Sequence, residues 1–90
     1  MILDVLAFKN KKLKCFTNPF YSQEKLEYIE TNMARSIMLG GESMVTKYKN
    51  LVLYHFGTFD DQTGKYDLKA EPDMLFDCDD IIASIPEAQA

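Results

Sequence analysis

Residues 2–7 alternate, with Ile2, Asp4 and Leu6 on one side of the series and Leu3, Val5 and Ala7 on the other. A period of two predicts a strand with at least one buried face. Lys-Asn-Lys-Lys at 9–12 reads as a turn built on Asn10, and Leu13, Cys15 and Thr17 alternate beyond it. Residues 1–17 are therefore predicted to form a β-hairpin with a lysine-rich tip. Asn18-Pro19-Phe20-Tyr21 breaks it, because proline donates no ladder hydrogen bond and pushes its predecessor to extended geometry.

The period then changes. Leu26, Ile29, Met33 and Ile37 recur at spacings of three and four, widened by Tyr28, Ala34 and Met38. Ser22 suits an N-cap, Glu24 suits the first turn, and Gly40-Gly41 suits a C-terminus. An amphipathic helix over 23–39 follows. The polar stretch 42–50 reads as a loop with at most a helical turn around Met44-Val45. Leu51 to Phe59 is rich in β-branched and aromatic residues and predicts a long strand, with Gly57 marking a bulge or a close backbone approach. Asp60 to Gly64 predicts a hairpin turn, Lys65 to Leu68 the return strand, and Met74-Leu75-Phe76 a short edge strand beyond Pro72. The expected fold is α+β, ββ-α-ββ: one amphipathic helix on an antiparallel sheet of two hairpins, in two layers. One domain spans 1–80, and 81–90 are expected to fray as an acidic and small-residue tail.

Composition narrows the function classes. The chain has 90 residues, 47% of them apolar, enough for one core but a small one. A homodimer would enlarge that core. No apolar run approaches the roughly 18 residues of a membrane span, and the start lacks the basic region of a signal peptide. Cys15 and Cys78 are expected as free thiols of a reducing cytoplasm. No cofactor is expected. Two cysteines and His55 do not complete a zinc site. Asp60 and Asp61 lack the spacing of a calcium loop, and Asp77, Asp79 and Asp80 read as a solvated acidic segment. His55 has no nucleophile and orienting acid in any recognisable series, so it reads as a strand residue and the chain as no enzyme.

Charge brings in the one suggestive set. The net charge is −4, but residues 1–50 sum to +3 and residues 51–90 to −7. Mutual attraction of the two halves is the bland explanation. The other is a local basic ridge. Lys9, Lys11, Lys12 and Lys14 fall within six residues, Phe16 and Tyr21 follow, and Tyr48 sits between Lys47 and Lys49. Lysines interleaved with aromatic rings are what a single nucleic-acid strand needs, phosphates held by charge and bases stacked on rings. Lysines at a hairpin tip also serve simply to solvate it and to block strand pairing.

Phe16-Thr17-Asn18-Pro19-Phe20, Met33-Ala34-Arg35, and above all Leu53 to Lys65 with its Gly-x-Phe-Asp and Thr-Gly turn resemble the small nonstructural protein family of gokushoviruses, single-stranded DNA phages of the microvirus family. The resemblance covers roughly residues 13–80. It implies a non-enzymatic phage accessory protein in the cytoplasm of the bacterial host, binding single-stranded DNA during genome replication or packaging. It attaches no catalytic residues. The competing expectation is a protein-interaction module that regulates a viral or host replication or assembly protein through the acidic second half. A homodimer is compatible with both.

Overall fold

The computed structural model describes residues 1–85 as one antiparallel sheet of five strands with three helices. In chain order these are β1 (Ile2–Asn10), β2 (Cys15–Phe16), β3 (Phe20–Ser22), α1 (Leu26–Gly40), α2 (Glu42–Tyr48), β4 (Leu51–Asp60), β5 (Tyr66–Asp77) and α3 (Cys78–Ala83). The α+β class and the antiparallel sheet are as expected, while the order βββααββα replaces ββ-α-ββ.

The strands run β2-β1-β4-β5, with β3 also on β1. The first hairpin forms as read: Asn10 Oδ1 accepts from the backbone N–H groups of Lys12 and Leu13 at 2.9 and 3.0 Å. Its return strand stops at Phe16. Past Pro19 the chain returns to β1 as β3, with Tyr21 opposite Val5. That pairing keeps Ser22 in a strand, so α1 starts at Leu26 and not at 23, with Lys25 at its N-cap position and no side-chain cap. Ser22 Oγ instead accepts from Glu24 N at 3.1 Å.

One core lies between the sheet and the helices. Leu6, Leu53 and Phe76 from the sheet meet Ile29 and Ile37 of α1 and Cys78 and Ile81 of α3. Leu26 and Met33 complete the predicted stripe, but Tyr28 and Met38 are exposed rather than part of it. Residues 42–50, expected as a loop, are largely α2: Met44, Val45 and Tyr48 pack on the core and give a short polar segment its reason to be helical. Pro72 does not end β5. The strand is at the sheet edge, and four residues, 69–72, stand against Phe56 alone between the pairs Gly57–Leu68 and His55–Asp73. Proline sits in an irregularity that needs no ladder N–H from it.

The expected frayed tail is the clearest correction within the described residues. Residues 78–83 are helical, Ile81 and Ile85 are buried, and Asp77 caps the helix by accepting from Asp79 N at 2.9 Å. The part of that tail from 86 to 90 lies outside the described residues. Burial pushes the Cys78 thiol up to about 12, with Asp77 and Asp79 adding to the shift, whereas Cys15 is exposed. A thiol reagent at neutral pH is therefore expected to titrate one cysteine in the native protein and two after denaturation. Two fast native thiols would contradict the docking of α3.

Candidate nucleic-acid interface

The helices cover one face of the sheet only. Leu6 and Phe8 of β1 point to the core, so Val5, Ala7 and Lys9 point to the other face. At Val5/Leu6 the register with β4 shifts: Val5 pairs with Gly57 and Leu6 with His55, leaving Phe56 as the extra residue of a bulge. Phe56 then turns to the open face, its ring centroid 5.2 Å from that of Phe16.

Six aromatic rings gather there. Phe16 meets Tyr54 and Phe56 edge-on at 5.3 and 5.2 Å. Nearer the β4–β5 turn, Phe59 lies 5.3 Å from Tyr21 and 4.6 Å from Tyr66. Phe16, Tyr21 and Tyr66 are 41%, 45% and 51% exposed. Between the two clusters runs an apolar groove of about 320 Å³, floored by buried Val5 and Ala7 and walled by Phe16, Phe56, Tyr66 and Leu68. The hydroxyls of Tyr21 and Tyr66 hydrogen-bond to each other across it.

The predicted site residues divide between places. Lys9, Phe16 and Tyr21 share the open face, with Lys9 Nζ 5.6 Å from the Phe16 ring centroid. Lys12 and Lys14 stand exposed at the adjacent tip, and among the described residues neither has an ion-pair partner. Lys11 points elsewhere. Its ammonium lies 2.7 Å from carboxylate oxygens of both Asp77 and Asp79, which raise its pKa. Burial opposes ionisation of Asp79, but Lys11 and the N–H of Asn50 outweigh it and hold the carboxyl below its usual range. Here the basic and acidic halves do attract one another, and two of the three clustered acids are occupied within the fold.

Tyr48 belongs to the helix side. It is half-buried against Phe8, 5.7 Å between centroids, with Lys47 Nζ 5.3 Å from its ring centroid. Lys47, Tyr48 and Lys49, all on or beside α2, are thus not joined to the open-face rings. No family model, curated protein or solved structure matches this chain.

Tyr54, Phe56, Phe59 and Tyr66 were not singled out by the sequence pattern, where they serve as ordinary strand formers. The available signal was their spacing: Tyr54 and Phe56 alternate with Leu53 and His55, so they had to face away from whatever Leu53 packs on. His55 itself is buried and bonded through Nε2 to Asp4 Oδ1 at 2.9 Å, a structural pair within the sheet. Among the described residues no cluster of ligating side chains could hold a metal, and no helix is long and apolar enough to cross a membrane.

Proposed function

We propose that the chain is a non-enzymatic phage accessory protein that binds single-stranded DNA through the open face of its sheet, in genome replication or packaging. The observation that carries the reading is the set of half-exposed rings, Phe16, Tyr21 and Tyr66, on the face that Lys9 shares and whose adjacent tip carries Lys12 and Lys14; among the described residues none of these lysines has an ion-pair partner. A strand laid along the face would stack bases on the rings and place phosphates near the tip. The gokushovirus resemblance supplies the phage context and the choice of DNA.

The test is fluorescence anisotropy with a labelled single-stranded oligonucleotide across a salt series. Contacts from these three lysines predict a shallow dependence, with log K falling by about 2 per decade of salt. Lys12→Glu/Lys14→Glu is expected to abolish most binding at physiological salt, whereas Lys47→Glu/Lys49→Glu leaves it nearly unchanged. Absence of binding even at low salt removes the proposal. Equal losses in both double variants move the interface off the open face.

A further inference from the structure

The groove between the two ring clusters has features that a flat stacking platform does not need. Its floor, Val5 and Ala7, is buried and apolar. Its lining holds no charged side chain. Its volume, about 320 Å³, sits at the lower end of the ~300–1,000 Å³ range of small-molecule sites. Tyr21 and Tyr66 come from strands on opposite edges of the sheet and meet over it hydroxyl to hydroxyl.

Resting on the single-strand reading above, we infer that this groove is a base slot: one unpaired base of the bound strand enters it and leaves the phosphates outside. A neutral, apolar lining cannot repay the desolvation of a phosphate, but it suits the face of a base. The lysines that suit phosphates, Lys9 and the tip pair Lys12 and Lys14, do not line the groove. Phe16 and Phe56 offer ring faces and edges to a base from one side. From the other, the two phenols offer polar contacts. Each hydroxyl both donates and accepts, so the pair can hold each other in the free protein and still bond the polar edge of a base. The hydrogen bond between the two hydroxyls raises the Tyr66 pKa further above the neutral range.

The experiment compares two labelled oligonucleotides of equal length and phosphate count on the unmodified full chain. One is oligothymidylate and the other carries abasic tetrahydrofuran residues throughout. Binding through the slot predicts that the abasic strand binds weaker by about tenfold or more. The protein contains five tyrosines and no tryptophan, so its intrinsic emission comes from tyrosine. That emission is expected to fall on titration with thymidylate and not with the abasic strand. Phe16→Ala should cost about fivefold to a hundredfold in affinity for thymidylate and nothing for the abasic strand. Tyr21→Phe/Tyr66→Phe, which keeps both rings, should lose a smaller factor. Equal binding of the two strands overturns the slot and any stacking of bases on the rings, and leaves standing only a single strand held by its phosphates at the lysines. Binding of neither strand overturns both.

Discussion

Gly57→Ala is expected to lower the thermal midpoint by about 12–24 °C, the equivalent of about 3 kcal/mol in a domain of this size. Two costs add. The backbone at Gly57 has φ 140°, a region that L side chains rarely adopt. A Cβ there would also lie 2.2 Å from the carbonyl oxygen of Asp67 and 2.8 Å from Cα of Leu68. Those atoms belong to β5, which is hydrogen-bonded to β4 at this point through the Gly57–Leu68 pair. Relief would require parting the two strands beside the Phe56 bulge. Gly64→Ala is the control: φ is 74° but a Cβ meets nothing within 4 Å, so only about 1–2 kcal/mol of backbone strain is expected. Thermal melts followed by circular dichroism measure both. A Gly57→Ala midpoint within a few degrees of the parent would refute the close packing at the bulge.

Deleting residues 78–90 is expected to abolish cooperative folding. The deletion removes Cys78, Ile81 and Ile85, which are 0%, 5% and 8% exposed. At about 1.5–3 kcal/mol for each buried apolar side chain, the loss is roughly 5–9 kcal/mol. A chain of 90 residues has a total stability of only about 5–14 kcal/mol. The hydrogen bond that Asp79 accepts from Asn50 N goes too, as does half of the clamp on Lys11. The expected signature is a melt with no sigmoidal transition. A sharp transition near the parent midpoint would return the segment to the status of a frayed tail.

The sequence by itself determined the elements whose signals are short in range. The three- and four-residue spacing of Leu26, Ile29, Met33 and Ile37 specified α1, and Gly41, with φ 62°, ends it where the glycines stand. Asn10 built its turn from its own side chain. Asp60 and Gly64 closed theirs through a bond from Gly64 N to Asp60 O at 2.7 Å, while the alternation from Leu51 onward specified β4. Each depends on atoms a few residues apart, so local chemistry suffices.

Tertiary structure decided the rest. Helix α2 has no cap side chain and a mostly polar composition, and it holds because Met44, Val45 and Tyr48 find the core. Helix α3 carries acidic residues that read as solvated until Asp77 becomes its cap and Lys11 arrives from 66 positions away to pair with it. The candidate site belongs with these. Alternation says that Tyr54 and Phe56 share a face, but not that three helices all settle on the opposite one. Nor does it say that Lys11 folds back on two aspartates while Lys12 and Lys14 stay exposed at the tip. Periodicity sorts side chains into faces. Which face is covered, and which charges find partners, depends on contacts between residues far apart in the chain, whose energies no local pattern encodes.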